Sequence, residues 1–271
     1  MVNEPQASHG VDPERPSIAR IYDSYLGGGH HQAADLDARR QVIEVMPELP
    51  ALLRISLAFM QRGVRFLAEA GIRSFLDLGA GIPTIDNVHE IAQAVDPTAR
   101  TVYVDNDPLA VRERRILTAG DSRTLVLERD LREADAILGE PETARLLGLG
   151  TDEPIAVVMS SVLQFIPDDD EVVAVIAAYR DAMAPGSYLM ISHGVPQPGS
   201  AQRLLRAAEL YSQMIAPLKL RSAEQLAELV RDFELIEPGV AYCSQWRPDP
   251  AYRAAAAVKP LAQMGLVARK P

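Results

Sequence analysis

The sequence predicts an α/β domain with a mainly parallel sheet, because short apolar runs alternate with helical segments along most of the chain. Five runs rich in β-forming residues occupy residues 72–78, 101–104, 124–127, 155–160 and 188–192. Helical patterns separate these runs at residues 85–94, 109–118, 134–147 and 170–183. Such alternation is typical of parallel strands joined by right-handed helical crossovers. The 271 residues, 48% of them hydrophobic, suffice for one large domain with a substantial core.

The N-terminal region has a different pattern. Residues 1–16 are polar and contain three prolines, which predicts a flexible arm. A short amphipathic helix is then expected, with Ser17 as its N-cap and the glycines at 27–29 as its end. A second helix is predicted over residues 52–70. The apolar stripe of the first helix consists of Ile18, Ile21, Tyr22, Tyr25 and Leu26.

The alternation stops after residue 192. Helices are predicted at residues 200–215 and 222–230, and a strand at 233–237 and another near 266–269 follow. Ser222 and Gln225 have the spacing of a capping box, which supports the second of these helix starts. We interpret residues 195–232 as a helical insertion before the last two strands of a single domain spanning residues 17–271.

The composition of the chain argues against several classes of function. The formal net charge of −10 argues against a nucleic-acid partner, which normally requires a basic face. Cys243 is the sole cysteine of the sequence, so an intrachain disulfide is impossible. The sequence has no apolar run of membrane-spanning length and no signal-peptide core. We expect a cytoplasmic protein with a small-molecule partner, and the oligomeric state is left open.

The most informative motif is FLDLGAGIPT at residues 75–84. An apolar strand ends at Asp77 and Leu78, and Gly79-Ala80-Gly81 would let a ligand approach the backbone closely. A dinucleotide fingerprint requires a third glycine, where this sequence has Pro83 and Thr84. An acid two residues before the first glycine instead favours S-adenosylmethionine, whose ammonium and sulfonium are cationic. The alternative is a glycine-rich turn without a ligand.

The ends of the second, third and fourth strands also carry residues that could bind parts of such a ligand. Asp105 follows the second strand at the spacing of ribose-binding acids, and Asn106 lies beside it. Asp107 precedes Pro108 and suits an N-cap, which leaves Asp105 for the ribose. The third strand ends at Asp130 and Leu131, where a carboxylate could accept the adenine amino group; a loop-capping role is an equal alternative. The fourth strand ends at Ser160 and Ser161.

These motifs together resemble those of class I S-adenosylmethionine-dependent methyltransferases. More narrowly, the segments at residues 19–28, 75–84, 102–108 and 246–249 resemble a bacterial methyltransferase-like family long described as a domain of unknown function. The resemblance covers nearly the whole chain after residue 16. It implies a Rossmann-like, seven-stranded mixed sheet with a reversed final strand, helices on both faces and an N-terminal helical lid at residues 17–50. S-adenosylmethionine would be the cofactor.

The resemblance also assigns roles to single residues. Asp77, Gly79, Ala80 and Gly81 would hold the methionine end, and Asp105 the ribose. Asp130 would bind the adenine, with Asn106 and Leu131 beside these positions. Ser160 and Ser161 would lie under the sulfonium. Tyr22 and Gly28 would come from the lid.

Two positions depart from the family pattern. The family usually continues its N-terminal glycine turn with Lys-Asp-Asn-Phe, whereas this chain has His30-His31-Gln32 after Gly29. It also usually has a histidine where Gln164 stands, and an amide cannot act as a general base. Weak candidates for catalysis are His193, Tyr211 and Gln164, and no metal site is expected.

The leading hypothesis is a methyltransferase that acts on a small molecule by in-line transfer. Its acceptor pocket would combine the lid, the loop after the fourth strand and the helix at 200–215. A non-catalytic protein that binds S-adenosylmethionine or a nucleoside is the alternative. A nicotinamide-dependent dehydrogenase is disfavoured by Pro83 and Thr84.

Overall fold

The structure is a computed structural model that describes residues 12–196, 199, 201–248 and 262–271. Most of the predicted arm, residues 1–11, therefore lies outside the described residues. So do residues 197, 198 and 200 of the predicted insertion, and residues 249–261 of the connection to the last strand.

One mixed sheet forms the centre of the protein. Its strands are β1 Ser74–Leu78, β2 Arg100–Asp105, β3 Thr124–Glu128, β4 Ile155–Ser160, β5 Tyr188–Gly194, β6 Glu234–Leu235, β7 Ala241–Tyr242 and β8 Gln263–Arg269. The order is β3-β2-β1-β4-β5-β8-β6, and β7 also pairs with β8. The pairs among β1 to β5 are parallel, whereas β8 is antiparallel to β5, β6 and β7. This confirms the predicted Rossmann-like sheet with a reversed final strand.

The strand count is eight, where seven were expected. The predicted strand at 233–237 appears as β6, and β7 pairs with β8 further along the same strand, where Tyr242 lies opposite Met264. Pro238 and Gly239 stand between the two short strands. Proline cannot donate a ladder hydrogen bond and glycine disfavours extended backbone, so the edge is interrupted there. The extra strand β7 therefore lies beyond the expected edge strand and continues the same edge along β8.

The helices are α1 Ile18–Leu26, α2 Ala33–Val45, α3 Leu49–Glu69, α4 Val88–Val95, α5 Pro108–Leu117, α6 Ala134–Leu138, α7 Pro141–Leu147, α8 Asp169–Ala182, α9 Ala201–Met214 and α10 Ala223–Leu229. Ser17 caps α1 and Gly27, at φ 97°, ends it as predicted. The expected helix at 134–147 is divided because Pro141 starts a new helix. Helix α2 was not predicted. In the described part of the chain, no helix is both long and apolar enough to cross a membrane.

Alternate strand residues face two separate cores. Leu76 and Val157 pack on the side of α8 and α10, and Phe75 and Val158 pack on the side of α3 and α4. A third apolar cluster joins α1, α2 and α3 to α9 through Ile21, Tyr25, Val42, Leu52 and Tyr211. The N-terminal helices and α9 therefore share one core, which is distinct from the two cores of the sheet.

Candidate cofactor and acceptor site

A cavity of about 530 Å³ lies at the carboxyl ends of β1, β2, β3 and β4, with the start of α1 forming part of its wall. Strand ends of an open α/β sheet are the usual ligand position of this architecture. The structure brings most sequence-predicted site residues together here: Tyr22, Asp77, Gly79, Ala80, Gly81, Asp105, Asn106, Asp130, Leu131, Ser160 and Ser161 line the cavity.

The glycine turn is held tightly from two sides. The amides of Gly79 and Ala80 donate to the Val104 carbonyl of β2, at 2.8 and 3.1 Å. Gly79 has φ 72°, and a Cβ there would come within 2.4 Å of the Val162 side chain. On the other side, Arg114 Nη2 donates to the carbonyls of Ala80 and Gly81 at 2.8 and 3.0 Å. The position of Gly79 requires glycine, both because of its positive φ and because a Cβ has no space there.

Asp77, which is buried, and Asp105, which is half-buried, place two carboxyl groups at the cavity wall. Burial raises the pKa of Asp77 to about 6; the Arg114 guanidinium opposes this shift and the Asp105 carboxylate adds to it. Burial likewise raises the pKa of Asp105, although hydrogen bonds from the amides of Asp107 and Gly81 oppose the change. A desolvated pair of acids is poorly compensated by the protein alone, and a cationic ligand would stabilise it.

The geometry separates the roles of Asp105 and Asp107. Asp105 Oδ2 accepts from the Gly81 amide at 2.7 Å, and Oδ1 accepts from the Asp107 amide at 2.8 Å. Each oxygen keeps a lone pair for a ligand hydroxyl. Asp107 is the N-cap of α5, since its Oδ1 accepts from the amides of Leu109 and Ala110 at 2.8 and 3.2 Å.

Asp130 already has protein partners. Arg132 donates to both carboxylate oxygens at 2.8 and 2.7 Å, and Asn106 Nδ2 donates to Oδ2 at 3.3 Å. The hydrogen bonds from Arg132 lower the pKa of Asp130. The residue is thus ionised and anchored at the cavity wall. An adenine amino group would have to use the remaining lone pairs.

A network of buried hydroxyls lies beneath the end of β4. Ser56 Oγ on α3 is 2.8 Å from both Ser161 Oγ and Ser192 Oγ. Gln263 on β8 donates to Ser56 and Ser161 at 3.2 and 3.1 Å. Ser161 has φ 54°, a left-handed conformation that is unusual for serine. The network fixes this conformation and aligns the floor of the cavity.

Helix α1 reaches this floor through Tyr22. The Tyr22 hydroxyl approaches the Ser161 side chain, and burial raises the pKa of the phenol. Ser17 Oγ at the start of the same helix donates to Asp107 Oδ2. The predicted lid therefore contacts the strand ends at two points.

A second, smaller pocket of about 80 Å³ adjoins the main cavity, since Tyr22 and Phe165 line both. Its walls come from α1, α2, α3 and α9 and from the short 3₁₀ turn Leu163–Phe165. Gln164 and Tyr211 line this pocket. Most of the other lining residues are aliphatic.

Two sequence candidates lie away from both spaces. His193 is fully buried, and its Nδ1 lies 2.8 Å from the Gly194 carbonyl and its Nε2 3.4 Å from Arg221. Burial lowers its pKa to about 4, so the ring is neutral near pH 7. Gly28 packs against the Asp23 carboxylate, where a Cβ would come within 2.0 Å. For Gly28 the structure indicates a tight helix end in place of cofactor contact.

Several residues of the site had no signal in the sequence. Arg114 lies at the far end of α5, and Ser56 and Gln263 are far from any motif. Arg221, fully buried, donates to the carbonyls of Leu163 and Ile166 at 3.0 and 2.7 Å and so holds the 3₁₀ turn. Their roles depend on tertiary contacts, which a single sequence does not display.

Known proteins with similar sequences and structures are described as methyltransferases or belong to a related family. The profile of the family described as S-adenosyl methyltransferase matches residues 4–271. A provisionally assigned methyltransferase from Thermobifida fusca is 37% identical, with 98% of this chain and 99% of that chain covered and a TM-score of 0.90. A DUF574 family protein from Streptomyces avermitilis is also 37% identical, with coverage of 96% and 99% and a TM-score of 0.88.

A more distant structure, an O-methyltransferase family protein from Burkholderia thailandensis, shares the fold. It is 16% identical, has a TM-score of 0.54, and is aligned over 95% of this chain and 64% of its own. No curated protein matches the sequence.

Proposed function

The chain belongs to the S-adenosyl methyltransferase family, and we propose that it transfers a methyl group from S-adenosylmethionine to a small-molecule acceptor. The observation that supports this most is the pair of carboxyl groups of the buried Asp77 and the half-buried Asp105, beside a glycine turn at the strand ends. A ligand that combines cationic groups with a ribose matches that pair.

The proposed roles follow from position. Asp77 and the turn at Gly79–Gly81 hold the cationic methionine end, and Asp105 accepts from the ribose hydroxyls. Asp130 and Leu131 lie where the adenine is expected. Ser160 and Ser161 form the floor near the reactive centre. When bound, S-adenosylmethionine supplies an activated methyl group on a good leaving group.

The contribution of the chain to the reaction is mainly positioning. Helix α1 covers the cavity and limits access of water, and the second pocket orients the acceptor toward the serine floor. Displacement at a sulfonium requires alignment of the two reactants more than acid–base chemistry. In the same proposal, residues 17–271 form one domain. Residues 17–50 are its lid, and residues 195–232 are a helical insertion before its last strands.

The direct test is transfer of a labelled methyl group to a metabolite extract, followed by identification of the product. The wild-type protein should release S-adenosylhomocysteine together with labelled product, and the variant D77N should lose most of this activity. Binding of S-adenosylmethionine without any transfer would contradict the proposal and favour the non-catalytic alternative.

A further inference from the structure

The composition of the second pocket restricts what it can accept. Among the described residues that line it, none is Asp, Glu, His, Lys or Arg. Moving an ion into such an environment costs several kcal/mol unless a partner charge is present. At about 10–15 Å³ for each water-sized group, a pocket of 80 Å³ has room for about five to eight such groups. The pocket therefore suits an uncharged molecule of about one ring.

Gln164 gives this apolar pocket a directional polar contact. Its Nε2 donates to the Ser161 carbonyl at 2.8 Å, which fixes the orientation of the amide, because Oε1 could not bond to a carbonyl. Gln164 Oε1 is buried and has no hydrogen-bond partner in the described part of the chain. A buried acceptor of this kind costs free energy unless a ligand donates to it. The occupant is thus expected to carry an N–H or O–H donor.

The same pocket offers no group to remove a proton from the acceptor. Tyr22, Tyr25 and Tyr211 are its titratable lining residues among those described, and burial raises the pKa of each phenol. Neutral phenols are very weak bases. An alcohol or phenol acceptor would have to lose its proton early, whereas a neutral nitrogen can attack with its lone pair.

Resting on the proposed function, we infer that the acceptor is an uncharged nitrogen heterocycle that donates an N–H to Gln164 Oε1 and is methylated at a second ring nitrogen. The lone pair of that nitrogen forms the new bond to the methyl carbon while the carbon–sulfur bond breaks. The bonding electron pair stays on sulfur, which becomes a neutral thioether. The positive charge passes to the ring, which loses its N–H proton to water once the product has left the pocket.

Three small single-ring probes test this inference: 4-methylpyrazole, phenol and 2-furoate. Each is titrated by calorimetry into protein saturated with S-adenosylhomocysteine, and each is offered as acceptor with labelled S-adenosylmethionine. We expect 4-methylpyrazole to bind most tightly and to be methylated on nitrogen. The variant Q164L should weaken 4-methylpyrazole binding about tenfold, since one hydrogen bond to a buried group is lost. The control Q61L, which removes an amide outside both pockets, should bind like the wild type.

Preference for phenol or 2-furoate, or no binding of 4-methylpyrazole to the saturated protein, would overturn the inference. So would unchanged 4-methylpyrazole binding in Q164L. If Q164L fails to bind S-adenosylhomocysteine because it is misfolded, the ranking of the three probes on the wild type still decides. Failure of the wild type to bind S-adenosylhomocysteine would instead overturn the proposed function, so the two failures are distinguishable.

Discussion

Asp77 shows how a single side chain is prepared for a charged ligand. It occupies the end of β1, is 8% exposed, and lies close enough to Asp105 for the two carboxyl groups to affect each other. Keeping such a group buried without a full partner destabilises its ionised form. A bound cationic ligand of the kind proposed would supply the missing partner charge.

The raised pKa of Asp77 makes ligand binding dependent on pH. Its value in the free protein, about 6, lies above the 3.8 of an ordinary aspartate, and a cationic ligand would lower it again. Affinity for S-adenosylmethionine should therefore be full above about pH 6 and fall as pH decreases through 6, by up to tenfold for each pH unit. Calorimetric titrations between pH 5 and 8 measure this.

The variant D77N provides the control for that pH dependence. It should bind more weakly at pH 8, and its affinity should change little between pH 5 and 7. A wild-type affinity that is constant from pH 5 to 8 would show that Asp77 does not titrate against the ligand.

At the scale of elements, a buried ion pair joins α1 and α2 of the proposed lid. Arg20 of α1 and Asp35 of α2 are 3% and 0% exposed, and Arg20 Nε donates to Asp35 Oδ2 at 2.6 Å. The amides of Ser17 and Gln32 also donate to the Asp35 carboxylate, at 2.9 and 2.7 Å. One carboxylate thus fixes the starts of both helices relative to each other.

Breaking this pair should loosen the lid. The variant D35N leaves Arg20 buried without its counter-ion, which costs about 3–5 kcal/mol. Chemical denaturation should show that loss in the free energy of unfolding, together with weaker binding of S-adenosylmethionine. The matched control E142Q removes an exposed pair with Arg145 and should leave the free energy of unfolding almost unchanged, because solvent screens such a pair. Equal stability of D35N and E142Q would refute the role of the buried pair.

The sheet and most helices could be predicted because their sequence signals are local. The apolar runs of β1 to β5, the Ser17 cap and the Ser222 capping box are each contained in a few residues. Helix α2 escaped prediction because its start depends on Asp35, whose carboxylate serves Arg20 as well as its own capping box. The extra strand β7 likewise depends on the register with β8.

At the scale of the whole molecule, the cavity could be predicted in outline and its second pocket only in part. Strand-end residues of a parallel sheet must meet at one edge, so Asp77, Asp105 and Ser161 were expected to be neighbours. Nothing in the sequence indicated that Arg114, Ser56 or Gln263 would support them. These residues come from α5, α3 and β8, and the packing of α3 and β8 brings Ser56 and Gln263 to the end of β4.

The apolar core shared by α1, α2, α3 and α9 explains the position of the proposed acceptor pocket. The sheet supplies the proposed cofactor cavity, and this core forms an apolar layer next to it. The two spaces meet at Tyr22 and Phe165. The proposed reaction therefore takes place at the boundary between the sheet and the helical layer.

The central claim is that the strand-end cavity binds S-adenosylmethionine through Asp105, and calorimetric titration tests it most directly. The wild type should bind S-adenosylmethionine and S-adenosylhomocysteine, and not the nicotinamide dinucleotides. The variant D105A should lose about ten- to a hundredfold in affinity, because charge-assisted hydrogen bonds to the ribose contribute about 1.5–3 kcal/mol. The control D96N, which changes a carboxylate outside the cavity, should bind like the wild type. Tight dinucleotide binding without adenosyl binding, or unchanged affinity in D105A, would contradict the claim.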